Sequence, residues 1–292
     1  MRALAIPPAW RDVWICAEEN GHLQAIGTDA AGRRQYLYHP AWRQRQDQLK
    51  YQRVVQASAQ LPALRRQVQR DLRRNGLPLE RVAALAVRML DEGYFRIGND
   101  VYADEYGSFG LTTLLRRHVR RQGDSLRFRF TGKSGIQHDV TVTDAEALDV
   151  LQALRRRRDT SERLLGYRTS DGWTDMSPTV VNDYLRTRTE IHFTAKDFRT
   201  WHATVIAAEV LALSSEPGDT QASRRRAIRS ATNEVAAYLG NTPGVARASY
   251  IDPRVIDQYE AGVTIDPAQA RDNHRLRGRT VAEQAVRQLL AD

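Results

Sequence analysis

The chain has a single cysteine, Cys16, which excludes an intramolecular disulfide and any metal site built from cysteines. Lysine is nearly absent: Lys50, Lys133 and Lys196 are the only three among 44 cationic residues, and the rest are arginine. No apolar run reaches the roughly 18 residues that a membrane helix needs, and no charged-then-apolar leader opens the chain. A membrane span and secretion are therefore not expected, and the cytoplasm is the expected compartment. His-Glu-x-x-His, paired Cys-x-x-Cys and Gly-x-Ser-x-Gly motifs are missing, and no cluster has metal-ligand spacing. These absences remove zinc-peptidase, dithiol and serine-hydrolase chemistry from consideration.

What is present is positive charge. A net charge of +9 and a pI near 10 favour a polyanionic partner. Coding bias accounts for much of the arginine, but it makes each surviving lysine conspicuous. Lysine can be tuned to give up a proton near neutral pH, whereas arginine effectively cannot. Lys133 and Lys196 are thus candidates for chemistry, with chance survival as the alternative. The 292 residues suffice for one large domain or two, and 41% hydrophobic content fits a globular core.

The opening segment reads as a small antiparallel sheet. Val13 to Cys16 is a strand, Asn20-Gly21 a hairpin turn and His22 to Ile26 the return strand. A second turn over Asp29 to Gly32 leads to a third strand, Arg33 to Tyr38. There Gln35 and Leu37 face one way and Tyr36 and Tyr38 the other. Two tyrosines beside Arg33 and Arg34 suit contacts with sugar and phosphate; packing of a small sheet explains them equally well.

From about residue 46 the pattern is helical and basic, with a break at Leu61-Pro62. The stripe Val82, Leu85, Ala86, Met89 and Leu90 predicts a core helix, and Arg96 follows it between apolar neighbours, half buried. Gly110 to His118 reads as a short basic segment. Leu126, Phe128 and Phe130 predict a strand, and Ile136, His138 and Val140 its partner, so Lys133 sits at a hairpin tip. Gly132-Lys133-Ser134 is not a P-loop, because Arg127 holds the required upstream glycine position and no helix follows.

Helices are further predicted over Thr143 to Arg158, after Ser177-Pro178, after the capping box Thr194 to Asp197, over Arg224 to Leu239 and over Thr280 to Leu290. Asp252-Pro253 and Asp266-Pro267 begin shorter ones, and Ser214 to Ser223 reads as a polar loop. Arg199 lies in the first turn of an apolar helix and so needs an anionic partner, from the protein or a ligand. Gly240 suits a helix C-terminus, and Thr242-Pro243 restarts a short helix that ends at Tyr250. Taken alone, Tyr250 is more simply a packed tyrosine.

Arg96, Lys133, Arg199, Asn241 and Tyr250 together hold the components for cutting a phosphodiester without metal. A phenol attacks phosphorus, arginines neutralise the non-bridging oxygens, and a lysine protonates the leaving alkoxide. The chain resembles the type IB DNA topoisomerases of the bacterial, poxvirus-like group. The resemblance runs through Ile6-Pro7-Pro8-Ala9-Trp10, Asn20-Gly21-His22, Gly32 to Tyr38, Phe95-Arg96-Ile97-Gly98, Phe130 to Lys133, Lys196 to Thr200 and Leu239-Gly240-x-Thr242-Pro243.

The resemblance implies an α+β fold: a small N-terminal antiparallel sheet domain (1–46) and a larger, mainly helical catalytic domain (47–292). That larger domain is of the tyrosine recombinase and type IB topoisomerase kind. It implies Tyr250 as nucleophile, forming a 3′-phosphotyrosyl link, Arg96 and Arg199 as the phosphate clamp, and Lys133 as general acid. It implies DNA contacts by Gln35, Tyr36, Tyr38 and Lys196. The implied protein relaxes supercoiled duplex DNA as a monomeric clamp on the bacterial nucleoid, needing no ATP, metal or other cofactor. Two departures stand out. The family usually has histidine where this chain has Asn241, which can donate a hydrogen bond but carry no charge. Relatives also usually carry more residues ahead of Ile6, so an abbreviated small domain is expected. The alternatives are a tyrosine site-specific recombinase and a basic DNA-binding protein with weakened catalysis.

Overall fold

The computed structural model of the chain describes residues 4–92, 95–190, 192–214, 220–270 and 276–291. Most of the polar loop expected between Ser214 and Ser223 lies outside these residues. The chain divides into two compact units, one through Arg53 and the other from Val54 onward.

The first unit is a three-stranded antiparallel sheet, β1 (Arg11–Ile15), β2 (Leu23–Thr28) and β3 (Arg34–Tyr38), with β2 in the middle. Ile26 pairs with both Trp14 and Tyr36, so the pleat sends alternate residues of β3 to opposite faces. Arg34, Tyr36 and Tyr38 share the exposed face, while Gln35 and Leu37 are half buried. Helix α1 (Pro40–Ser58) follows directly.

The second unit is mainly helical: α2 (Leu61–Leu72), α3 (Leu79–Glu92), α4 (Asp100–Tyr106), α5 (Ala145–Arg156), α6 (Pro178–Arg186), α7 (Ala195–Leu213), α8 (Gln221–Leu239), α9 (Pro243–Ser249), α10 (Pro253–Glu260), α11 (Pro267–Ala270) and α12 (Leu276–Leu289). A sheet of β4 (Val119–Gln122), β5 (Ser125–Thr131) and β6 (Gln137–Val142) and a hairpin of β7 (Gly166–Thr169) and β8 (Gly172–Asp175) complete it. α4, β4 and the β7–β8 hairpin do not emerge from the sequence pattern. Val119-Arg120-Arg121-Gln122 has no apolar alternation, and becomes a strand because β5 supplies its pairing partners.

α3 is buried on every face from Val82 to Asp91 and packs against α2, α5, α6 and α7. α7 is also almost wholly buried, with Trp201 and Phe198 fully inside. Each such side chain contributes about 1.5–3 kcal/mol by leaving water.

One buried network of charged groups ties four of these elements together. Arg65 on α2 bonds Asp91 on α3 at 2.7 and 3.0 Å and Glu283 on α12 at 2.7 and 2.8 Å. His202 Nε2 on α7 lies 3.1 Å from Asp91. Burial alone would raise the Asp91 pKa, but Arg65 and His202 outweigh it and hold the carboxyl well below its usual range. Removing one partner from such a buried network costs about 3–5 kcal/mol, because an uncompensated charge stays inside. The network fixes α7, the helix that carries Arg199.

Candidate active site

Four of the five candidate catalytic residues meet at the C-terminal end of α8. That helix closes on Gly240, whose φ of +59° is left-handed and suits glycine. Asn241 N–H then donates to Ala236 O at 2.9 Å, which sets the exit angle of the chain. The last carbonyls of a helix lack partners within it and carry roughly half a negative charge, so they attract cations. Both candidate arginines exploit this. Arg199 Nη2 donates to Leu239 O at 2.7 Å, and Arg96 Nη2 donates to Gly240 O at 3.1 Å. Arg96 Nη2 also donates to Asn241 Oδ1.

Each arginine is held from behind. Arg199 is 4% exposed on α7, whose start is a capping box of Thr194 and Asp197. Arg96 O accepts from Leu111 N at 2.8 Å, and Phe95 packs edge-on against Phe128 of β5 at 5.3 Å. The bonds seen from the two guanidiniums run to the backbone carbonyls of Leu239 and Gly240 and to the Asn241 amide. Burial lowers the pKa of both, and nearby Tyr250 works in the opposite direction. Arg96 Nη1 and Asn241 Nδ2 are buried donors without a partner among the described residues. Buried donors are almost always satisfied in native proteins, so an acceptor from outside is expected.

Tyr250 arrives at the end of α9, which begins with Thr242 as N-cap and Pro243 in the first turn. The Arg199 guanidinium lies 5.3 Å from the Tyr250 ring centre. Burial would raise the phenol's pKa, but Arg199, Arg96 and Lys196 together bring it below the usual 10. Lys196 is exposed on the first turn of α7. Lys133 is the member left apart. It is exposed at the β5–β6 turn, and its ammonium has no partner among the described residues.

Two contributors do not stand out in the sequence. Thr204 Oγ1 on α7 accepts from Asp252 N at 3.1 Å and lies 3.4 Å from Tyr250 O, pinning the chain around the tyrosine. Its signal was a hydroxyl on an apolar helix, one turn after Thr200. His138 on β6 lies against Gly240, and its signal was a histidine on the inward face of a strand.

On the first unit, the candidate DNA-contacting residues divide. Arg33 and Gln35 bond Asp29, at 2.9 Å each, which holds its carboxyl at a pKa of about 2, chiefly through Arg33. Tyr36 and Tyr38 stack 6.4 Å apart, and Tyr38 stacks on Trp42 at 4.5 Å. Arg34 shares their exposed face. No group of three or more histidine, cysteine or acidic residues among the described residues is arranged to hold a metal.

Residues 39–272 match the model of the eukaryotic DNA topoisomerase I catalytic core, and residues 1–29 match the bacterial DNA topoisomerase IB N-terminal domain. The chain is 30% identical over 268 residues to DNA topoisomerase 1B of Acanthamoeba polyphaga mimivirus, covering 88% of this chain and 78% of that one. It is 20% identical over 236 residues to DNA topoisomerase I of Monkeypox virus, covering 80% and 72%. It is also 20% identical over 241 residues to DNA topoisomerase 1B of Vaccinia virus (strain Copenhagen), with the same two coverages. The catalytic-core match spans most of the chain and the N-terminal match lies on the sheet unit, so the chain belongs to the type IB DNA topoisomerase family.

Proposed function

We propose that the chain relaxes supercoiled duplex DNA by cutting and resealing one strand, with Tyr250 as nucleophile. Tyr250 Oη loses its proton to water and attacks the scissile phosphorus. The P–O5′ bond breaks, Lys133 gives a proton to the departing O5′, and a 3′-phosphotyrosyl link and a 5′-hydroxyl remain. Arg96 and Arg199 neutralise the non-bridging oxygens as negative charge concentrates on them, and Asn241 Nδ2 donates a hydrogen bond to one of them. Resealing is the reverse step, so the bond energy is kept and no ATP is used. The protein works as a monomer, closing on duplex DNA as a clamp in the cytoplasm, at the bacterial nucleoid. Arg34, Tyr36 and Tyr38 of β3 contact the duplex, with Arg33 and Gln35 beside them, and Lys196 contacts DNA near the cut.

One observation carries this reading. Arg96 Nη1 and Asn241 Nδ2, buried donors without a partner among the described residues, stand beside a phenol whose proton is loosened by cations. That combination fits a phosphodiester. The match of residues 1–29 to a topoisomerase N-terminal domain counts against the recombinase alternative. The test is relaxation of supercoiled plasmid by the purified chain in EDTA without ATP. Relaxed topoisomers are expected; strand exchange without relaxation, or dependence on ATP or a metal, would overturn the proposal.

Asn241 has its own test. Its Oδ1 accepts from Arg96 while Nδ2 remains available, a one-acceptor, one-donor pattern that a neutral imidazole also offers. Asn241→His is expected to keep or raise the cleavage rate, whereas Asn241→Ala loses about 10²–10³-fold. Single-turnover cleavage measures both, and an inactive Asn241→His enzyme would refute the pattern.

A further inference from the structure

His138 touches both halves of the candidate site. It pairs in register with Phe130, and their rings stack 5.0 Å apart at 11°. On one side the ring fills the space over Gly132, where an added Cβ would lie 2.5 Å from Cδ2 and Nε2. On the other it fills the space over Gly240, where an added Cβ would lie 2.9 Å from Cε1. Gly132 has φ −97°, a conformation open to any residue, so contact with the ring and not backbone geometry demands glycine there. Gly132 is the residue before Lys133, and Gly240 is the residue before Asn241. Neither imidazole nitrogen has a hydrogen-bond partner among the described residues, so the contact is one of shape. Burial, then Arg96 and Arg199, lower the His138 pKa below 6.5, so the ring is neutral at neutral pH and adds no third charge beside the two arginines.

We propose that His138 is a positioning residue for Lys133: its ring docks the β5–β6 turn onto the Gly240–Asn241 turn, so that the proton donor and the phosphate-binding donors converge on one phosphodiester. The proposal rests on Lys133 being the general acid. Lys133 has no other tether through its side chain. The turn's own bonds, Gly132 N to Ile136 O at 2.7 Å and Gly135 N to Gly132 O at 3.1 Å, fix its shape but tie it to nothing on α8. Placement errors of about 1 Å at a reacting group cost roughly 100-fold, so a wedge that sets the docking distance matters to rate.

The experiment compares single-turnover cleavage of two duplexes carrying a site the full chain cuts in plasmid DNA. One has the natural 5′-oxygen at the scissile phosphate and the other a bridging 5′-sulfur, which leaves without a proton. His138→Ala is expected to slow the oxygen substrate about 10- to 100-fold and the sulfur substrate far less. Gly132→Ala, which pushes the ring aside, is expected to act in the same way. In the His138→Ala background it should add less than about twofold, because the clash has gone. Equal slowing of both substrates, or independent multiplication of the two effects, would overturn the proposal, since a purely structural role treats both leaving groups alike. Lys133→Ala separates the two levels of argument. If it slows both substrates equally, the acid assignment itself fails. If it alone is rescued by sulfur, only the role of His138 fails.

Discussion

Tyr250→Phe is expected to abolish covalent attachment to DNA and plasmid relaxation, a loss on the order of 10⁴-fold or more, as when other enzymes lose their nucleophile. The substitution removes one oxygen and keeps the ring beside Arg199, so the fold and DNA binding should survive. Two measurements check it: trapping of the DNA adduct in denaturant, and an electrophoretic binding assay. A Tyr250→Phe protein that still relaxes DNA would sink the assignment. The electrostatics add a pH signature. Since Arg199, Arg96 and Lys196 hold the phenol below its usual pKa of 10 against burial, the phenolate form is gained as pH rises through that lowered value. Cleavage is expected to rise with pH below 10, and Lys196→Gln, which removes one of the three charges, should move that rise to higher pH.

Lys133→Ala carries the second largest effect, about 10²–10⁴-fold on cleavage of normal DNA, the usual size of a general-acid contribution. The loss should largely vanish with a 5′-sulfur leaving group, because a thiolate departs without protonation. The side chain is exposed and unpartnered, so its removal should leave the thermal unfolding temperature unchanged. Equal impairment on both substrates would assign proton donation elsewhere. The contrast with Tyr250 is informative: one substitution removes the attacking atom, the other only the help given to the departing one.

Local signals read well wherever a residue's own conformational needs decide. Asn20-Gly21 and the alternation over Gln35 to Tyr38 mark the small sheet, and the capping box at Thr194 marks the start of α7. Gly240 followed by Thr242-Pro243 marks the break before Tyr250. The predicted start of α8 at Arg224 moves to Gln221, because Thr220 accepts from Ser223 N and caps the helix earlier. β4 and the β7–β8 hairpin escape notice for a different reason. Their short segments carry little apolar pattern, and pairing rather than propensity makes them strands. Arg65 and Glu283 are 218 positions apart, and nothing local to either hints at the other.

The sequence by itself determined the inventory: two arginines, a scarce lysine, an amide and a phenol in a basic chain, on elements whose ends it marked with glycine, proline and hydroxyl caps. Those are properties of single residues and near neighbours. Tertiary structure decided how the inventory is wired. It placed Arg199 and Arg96 on successive carbonyls at one helix end, left Arg96 and Asn241 with buried donors to spare, and loosened the Tyr250 proton. It also set His138 between Gly132 and Gly240. Those features depend on distances between residues far apart in the chain, and on burial, which only packing creates.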